Sequence, residues 1–110
     1  MNLHEQIIQE IVMNPFLLET TLEMYECSIT SNISLSEFGD LDIFAEGFDY
    51  FTQQPKTAVI EVKAHIGLVA HYKKFQLPKY VERFPDARQL VVYSRTGEAN
   101  FNDLVFEKAK

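Results

Sequence analysis

The feature that most constrains this chain is a strand-like segment, Ala58–Ala64, in which charged and apolar residues alternate. Glu61 and Lys63 alternate with Ile60 and Val62, and β-branched residues dominate the segment. Because successive side chains of a strand point to opposite faces, Glu61 and Lys63 share one face while Ile60 and Val62 point to a core on the other. The pattern predicts that something charged lies on the face of Glu61 and Lys63.

A second strand-like segment, which carries two aspartates, precedes the first. Asp40 and Asp42 share one face by the same alternation. Their core-facing partners are expected to be Leu41 and Ile43. Residues 47–56 are rich in turn formers, so the two segments are predicted to pair as a hairpin. In such a hairpin, an aspartate lies beside Glu61.

The amino-terminal part of the chain predicts a helix followed by a short, mixed segment. Apolar residues recur at helical spacing from Leu3 to Val12, and Asn14-Pro15 is a stop signal. Residues 16–29 suit a short helical turn that gives way to a strand. Residues 31–37 are polar and are predicted to form a loop or hairpin.

The carboxyl-terminal part predicts one long helix and at least one strand. Residues 67–84 fit a helix with Pro78 as its awkward interior residue, and Tyr72 and Phe75 of this helix are expected to be core residues. Residues 89–94 form a strand whose unbroken apolar run indicates burial on both faces. Residues 101–106 suit an edge strand or a short helix.

These elements predict an α/β protein with a small mixed central β-sheet flanked by helices. A length of 110 residues has room for one hydrophobic core, so residues 1–110 are expected to form one domain. The longest apolar runs are far too short to cross a bilayer, and the amino terminus lacks a signal sequence. We therefore expect a cytoplasmic protein that makes no membrane contact.

The acidic residues of the predicted hairpin suggest a metal site. Carboxylates that converge from adjacent strands repel each other unless a cation intervenes, and hard oxygen ligands suit Mg²⁺ or Mn²⁺. The carbonyl oxygen of Val62 offers a third ligand beside Glu61 and an aspartate. Lys63 is placed to position a water molecule or to offset charge in a transition state. The predicted chemistry is hydrolysis of a phosphodiester bond.

The two segments Gly39-Asp40-Leu41-Asp42-Ile43 and Val59-Ile60-Glu61-Val62-Lys63 together resemble the bipartite motif of the PD-(D/E)xK nuclease superfamily. The resemblance implies a restriction-endonuclease-like αβββαβ core and a Mg²⁺-dependent deoxyribonuclease. It implies that Asp42 and Glu61 bind the metal with Val62, with Asp40 as the rival aspartate, and that Asp42, Glu61 and Lys63 are catalytic.

A further motif, Gln76-Leu77-Pro78-Lys79-Tyr80, resembles the Gln-x-x-x-Tyr signature of the RecB-like branch, although Pro78 inside it is unusual. The resemblance implies a catalytic role for Gln76 and a substrate-binding role for Tyr80. The superfamily often has a metal-binding glutamate on its first helix. Glu10 is our choice for that ligand, and the alternatives are Glu5 and, from the first strand, Glu26.

Charge is distributed unevenly along the chain. All ten Lys and Arg residues lie at or after Lys56, so the segment before it has a net charge of −10 and the remainder +4. Basic residues of the predicted long helix, Lys73 and Lys79 among them, are candidates for contacts with DNA phosphates. The alternative is that they form an ordinary solvated helix surface.

The resemblance implies DNA as the partner and, for a chain this short, a homodimer similar to that of the Holliday-junction resolvases. Nothing in the sequence selects junctions over duplex ends or single strands. The alternative from another functional class is a catalytically inactive nuclease-like domain that binds nucleic acid or a protein. A third possibility is a subunit whose DNA-binding partner supplies the DNA contacts that the acidic first half of this chain lacks.

Overall fold

The fold is built from helices and strands in the predicted order, and it ends in an edge strand, one of the two alternatives predicted for residues 101–106. A computed structural model describes residues 1–35 and 39–110. The elements are α1 (Leu3–Met13), α2 (Phe16–Leu22), β1 (Met24–Leu35), β2 (Gly39–Asp49), β3 (Pro55–His65), a 3₁₀ turn (Ile66–Leu68), α3 (Val69–His71), a π-helical turn (Tyr72–Gln76), α4 (Leu77–Arg83), β4 (Arg88–Ser94), a second 3₁₀ turn (Phe101–Asp103) and β5 (Leu104–Lys108).

The five strands form a single mixed sheet in the order β1-β2-β3-β4-β5. β3 and β4 are parallel, joined by the helical stretch of residues 66–83, and every other neighbouring pair is antiparallel. A crossover helix between parallel strands covers one face of a sheet. The predicted α/β class, with a mixed sheet and helices, is confirmed.

The first face of the sheet is covered by α1 and α2. The Asn2 side chain caps α1 by accepting a hydrogen bond of 2.9 Å from the backbone N–H of Glu5. The apolar stripe of α1 packs against even-numbered positions of β3 and β4 and odd-numbered positions of β2. The buried members of this aliphatic cluster are Ile7, Ile8, Ile11, Leu18, Leu22, Met24, Ile43, Ala45, Ala58, Ile60, Val62, Leu90, Val92 and Leu104.

The second face is covered by residues 66–83. This face buries a tyrosine-rich cluster with three tyrosines among its seven buried members, which are Leu41, Val59, Val69, Tyr72, Tyr80, Val91 and Tyr93. Pro78 occupies the second position of α4, directly after the π-helical turn. A proline there removes a backbone donor at the point where the regular α-helical ladder is already interrupted. No helix among residues 1–35 and 39–110 is long and apolar enough to cross a membrane.

Two predicted turns are shorter in the structure than in the sequence prediction. Residues 31–37 were predicted to form a loop or hairpin; residues 31–35 are not a loop but continue β1, which pairs antiparallel with β2, and residues 36 and 37 lie outside the described residues. Ile33 and Leu35 pack against the tyrosine-rich cluster while Asn32 and Ser34 are exposed, so this stretch is a half-buried strand with a polar outer face. The predicted turn over residues 47–56 shrinks to residues 50–54.

The prediction that Leu41 and Ile43 share one core is also wrong. Ile43 belongs to the aliphatic cluster, whereas Leu41 belongs to the tyrosine-rich cluster. β2 pairs with β3 only from Ile43 onward, while Leu41 pairs with β1 alone. In β1, Asn32 lies between Ser31, which pairs with Ile43, and Ile33, which pairs with Leu41, and it has a left-handed φ of 53°. The hairpin therefore twists away from β3 here, and Leu41 turns to the other side of the sheet.

Candidate functional site

The candidate site lies near the carboxyl end of β3, where the strand meets the helical stretch above it. Glu61 is 4% exposed and points, with Lys63, to the second face of the sheet, as the alternation predicts. Its neighbour on β4 is Val91, a member of the tyrosine-rich cluster. A carboxylate this deeply buried must have polar partners or give up its charge.

Glu61 has two direct side-chain partners. One carboxylate oxygen, Oε1, accepts a hydrogen bond from the Tyr80 hydroxyl at 3.4 Å, and the other, Oε2, lies 3.0 Å from Lys63 Nζ. Tyr80 comes from α4, so the helix and the strand meet at this carboxylate. The two motif residues predicted to share a strand face therefore form an ion pair at its buried end.

Asp42 reaches the same place from the strand on the other side of β3. Its Oδ2 accepts a hydrogen bond of 2.8 Å from the backbone N–H of Val62. β2 has already separated from β3 at this point, so the aspartate side chain replaces a strand hydrogen bond. In an antiparallel ladder, the N–H and C=O of one residue point to the same neighbour. The carbonyl oxygen of Val62 therefore faces the side of Asp42 as well.

A histidine from the first helix completes the cluster around Asp42. His4 Nε2 lies 3.2 Å from Asp42 Oδ1, and His4 Nδ1 lies 3.5 Å from Glu5 Oε1. The first turn of α1 thus closes the site from the aliphatic side of the sheet. His4 remains about one-third exposed, so this edge of the site opens to solvent.

The electrostatics of the site favour a protonated Glu61 in the absence of a cation. Burial, the charge of Asp42 and a hydrogen bond with it together raise the pKa of Glu61 to about 7, against the opposing effect of Lys63. Burial and the neighbouring Glu61 carboxylate also raise the pKa of the Tyr72 and Tyr80 hydroxyls, which keeps both protonated. Asp42 and Glu61 are thus close enough to interact directly.

This donor set fits a hard divalent cation. The two carboxylates and the Val62 carbonyl offer oxygen atoms only, which is the ligand type that Mg²⁺ and Mn²⁺ prefer. Within the described residues, no group of three or more His, Cys, Asp or Glu side chains is arranged to hold a metal ion. A site of one or two carboxylates, with water and substrate phosphates as further ligands, is typical of Mg²⁺.

Gln76 lies on the same helical stretch as Tyr80. Its side chain is half-buried, and its buried Oε1 has no hydrogen-bond partner among the described residues. The buried hydroxyl of Tyr72, four residues earlier, also has none there. Buried polar atoms normally have partners, and exceptions call for an explanation. Both atoms lie on the helical stretch that covers Glu61.

The other residues predicted for the site lie elsewhere. Lys73 forms an ion pair of 3.0 Å with Glu107 on β5, at the far edge of the sheet from β2. Lys79 is exposed on α4. Glu10 lies six residues after His4 on α1, about 9 Å along the helix axis, and does not join a metal-binding group with Asp42 and Glu61.

The alternative ligands considered from sequence are also distributed around the molecule. Asp40 is exposed, three residues before Ile43, where β2 begins to pair with β3. Glu26 is exposed at a bulge in β1, near the opposite end of the sheet. Glu5 contacts His4 and is the nearest of the three to the cluster.

Two residues of the cluster, His4 and Tyr72, were missed by sequence reasoning. Tyr72 has a signal in the sequence, because it precedes Gln76 by the same four-residue interval that separates Gln76 from Tyr80. Tyr72 was instead predicted to be a core residue, and it is indeed fully buried. His4 has no such signal, since only the docking of α1 on the sheet brings it to Asp42.

Comparisons with known proteins give no identification. Neither protein-family models, nor curated proteins, nor solved structures provide a significant match to this chain.

Proposed function

We propose that this chain is a metal-dependent nuclease of the PD-(D/E)xK superfamily, with a restriction-endonuclease-like core, and that it hydrolyses phosphodiester bonds of DNA. The observation that carries the proposal is the convergence of Asp42 and Glu61 beside Lys63 at the end of a buried strand. Two carboxylates in contact, one of which has a raised pKa, are typical of an acid/base or cation-binding site.

In the proposed site, Asp42, Glu61 and the Val62 carbonyl would hold Mg²⁺ or Mn²⁺. When bound, such an ion supplies Lewis-acid polarisation of the phosphate and activation of water. The chain's own residues have separate tasks. The Tyr80 hydroxyl orients Glu61 through its hydrogen bond, and Asp42 is oriented by the Val62 N–H and His4.

Lys63 supplies a positive charge at the open edge of the site. Its ammonium lies 3.0 Å from Glu61 and is only partly buried, so it reaches both the carboxylate and an incoming phosphate. A fixed cation beside the reacting group stabilises the negative charge that develops in phosphoryl transfer. Gln76, on the same helical stretch as Tyr80, has a buried oxygen without a hydrogen-bond partner among the described residues, which suits it to orient water or substrate.

The partners of the nuclease follow from the same proposal. Lys79 and its basic neighbours on the helical stretch would contact DNA phosphates, and a homodimer would enlarge the surface that grips DNA. Lys73 is the weaker candidate, because its ammonium is paired with Glu107.

The second candidate is a nuclease-like domain that binds DNA or a protein without cleaving it. It is favoured by the fact that both carboxylates already have protein partners, Tyr80 and Lys63 for Glu61 and the Val62 N–H and His4 for Asp42. Such contacts can satisfy buried acids in a purely structural role.

The deciding experiment is a cleavage assay on plasmid, single-stranded and branched DNA with Mg²⁺ or Mn²⁺, repeated with chelator. We expect cleavage that requires the metal and that falls by at least about 100-fold in Glu61→Gln and in Lys63→Gln. Glu98→Gln and Lys56→Gln are the matched controls, because these residues lie in turns or strand starts outside the site.

Cleavage that persists undiminished in Glu61→Gln would exclude the proposed site. Metal-dependent stabilisation of the protein without cleavage of any substrate would instead favour the binding domain. DNA binding without metal dependence would favour it as well.

A further inference from the structure

A patch of exposed aromatic side chains lies at the end of the sheet opposite the candidate site. Phe16 is 64% exposed, Tyr50 63% and Phe51 72%, and Phe48 and Tyr25 continue the patch. The rings contact one another, with centroid distances of 5.6 Å for Tyr25–Phe48, 6.1 Å for Tyr25–Tyr50 and 6.2 Å for Tyr50–Phe51. Contiguous exposed apolar surface of this kind marks interaction sites in soluble proteins.

The turn that carries two of these rings is held rigidly. Asp49 Oδ1 accepts hydrogen bonds from the backbone N–H of Phe51 at 2.8 Å and of Thr52 at 3.0 Å, and its Oδ2 pairs with Arg88. These hydrogen bonds to the backbone, with Arg88, lower the pKa of Asp49. The Tyr50 N–H also donates to the Glu23 carbonyl at 2.9 Å. A rigid aromatic anchor loses little conformational freedom when it binds a partner.

The surface around the aromatic rings is acidic. Phe16, Tyr50 and Phe51 line a depression of about 540 Å³ together with Glu19 and Glu23. A neighbouring depression of about 570 Å³ beside Phe48 includes Glu26, Glu46 and Asp86, with Lys56 as its one basic lining residue.

Most of these carboxylates are available to a partner. Glu23 is paired with Lys108 at 2.6 Å, whereas Glu19, Glu26 and Glu46 have no ion-pair partner among the described residues. Unpaired acids around aromatic rings favour a cationic ligand, which is attracted by both the carboxylates and the ring faces.

We infer that this aromatic patch is a docking surface for a basic segment of a partner protein, one in which Lys or Arg residues flank an apolar anchor. The apolar anchor would fill the depression beside Tyr50 and Phe51, and the basic residues would meet the carboxylates at its rim. In protein interfaces, aromatic residues are common among the residues that contribute most to binding, and the surrounding rim is polar.

A second copy of this chain fits the patch less well. The basic residues beside the patch are Lys56, Arg88, which is paired with Asp49, and Lys108, which is paired with Glu23, so two copies that met patch to patch would oppose surfaces of like charge. Docking the other Lys and Arg residues of one copy on the patch of another would be a head-to-tail contact. Contacts of that type leave both surfaces open at the ends of the assembly and extend into filaments unless a ring closes. A separate basic partner satisfies the patch without this consequence.

The inference is tested with the whole protein labelled with ¹⁵N and a short synthetic peptide in which arginines flank a central leucine-phenylalanine pair. We expect the peptide to shift the backbone resonances of Tyr50 and Phe51, and the shift to weaken at high salt. The same peptide with glutamate in place of each arginine should leave these resonances unchanged.

Serine substitutions of exposed aromatic residues inside and outside the aromatic patch locate the docking surface. Phe51→Ser or Tyr50→Ser is expected to weaken peptide binding by at least about tenfold. Phe101→Ser should have no effect, because Phe101 is similarly exposed but lies in the 3₁₀ turn before Leu104, which pairs with Ser94 at the opposite end of β4 from Arg88. Dispersed amide spectra of both patch variants establish that they fold.

Three results would overturn the inference. If the arginine peptide and the glutamate peptide bound equally well, the patch would not select positive charge. Absence of any shift with the arginine peptide would remove the docking surface. Concentration-dependent self-association of the wild type that is lost in Phe51→Ser would identify a second copy as the occupant.

Discussion

The two faces of the sheet are packed by different chemistry. The face under α1 and α2 buries only aliphatic side chains and Met24, whereas the face under residues 66–83 buries three tyrosines among its seven members. Aliphatic side chains pack densely and bring no polar atom that must be satisfied. Tyrosines add hydroxyls, and the charge of Glu61 raises the pKa of two of them, those of Tyr72 and Tyr80. The aliphatic face therefore supplies most of the stability, and the tyrosine-rich face carries the candidate chemistry.

The largest effect expected from this contrast is the loss of stability on truncating the aliphatic face. Ile60 is fully buried between Ile43 on β2 and Leu90 on β4. Ile60→Ala is expected to lower the free energy of unfolding by about 2–5 kcal/mol, through lost burial and the cavity left behind. Urea denaturation measures it.

The matched control for this truncation is Ile66→Ala, because Ile66 is an exposed isoleucine that directly follows β3. It should change the free energy of unfolding by less than about 0.5 kcal/mol. If the two variants lose the same stability, the aliphatic face does not have the importance assigned to it.

A second prediction concerns the pH dependence that Glu61 imposes on the metal-free protein. Its pKa is raised in the folded state to about 7, so the folded protein binds the proton more tightly than the unfolded chain. The stability contributed by the protonated acid is fully present below about pH 4.3. It is lost as the pH rises through about 7. The loss amounts to at most about 4 kcal/mol, since each unit of pKa difference corresponds to about 1.4 kcal/mol.

The measurement is the free energy of unfolding of wild type and Glu61→Gln from pH 5 to pH 8 in chelator, with Glu98→Gln as a control. Relative to wild type, Glu61→Gln should gain stability as the pH rises, while the control should run parallel to wild type. A difference between wild type and Glu61→Gln that stays constant across this range would contradict a buried, protonated Glu61.

The smallest expected effects distinguish two tyrosines of the same helical stretch. The Tyr80 hydroxyl donates to Glu61, so Tyr80→Phe should cost about 1 kcal/mol. The buried Tyr72 hydroxyl has no partner among the described residues, so Tyr72→Phe should leave stability unchanged or raise it by up to about 1 kcal/mol. Thermal denaturation of the two matched variants decides the sign. An equal loss in both would mean that Tyr72 has a partner too.

Much of the fold could be predicted because it follows from the spacing of apolar residues within single strands and helices. The alternation in β3 correctly places Ile60 and Val62 in one cluster and Glu61 and Lys63 on the opposite face, and the unbroken apolar run of β4 is buried on both sides. Both features depend only on the two-residue period of a strand.

The errors occur where tertiary geometry overrides local pattern. The two-residue period of a strand predicts that Leu41 and Ile43 lie on one face. Because β2 separates from β3 before Ile43, the two side chains pack in different clusters. Phe75 was predicted to be a core residue and is half-exposed, because the π-helical turn alters the angular spacing that an α-helical pattern assumes.

The candidate site was predicted only in the part that neighbouring strands define. Asp42, Glu61 and Lys63 meet because β2 and β3 are adjacent, and Tyr80 joins them through the crossover helix. The first helix contributes His4 instead of the predicted Glu10, because the contact depends on how α1 docks and not on its periodicity. The roles of these residues in metal binding and DNA cleavage stay predictions.

The π-helical turn between Tyr72 and Gln76 limits how this gene can change in length. Each residue of an α-helix turns the chain by about 100°. Inserting or deleting one codon between Tyr72 and Tyr80 would therefore rotate α4 and carry the Tyr80 hydroxyl away from Glu61. The surface turn of residues 95–100 has no comparable constraint, so we expect insertions and deletions to accumulate there among descendants of this chain and to be eliminated from the helix.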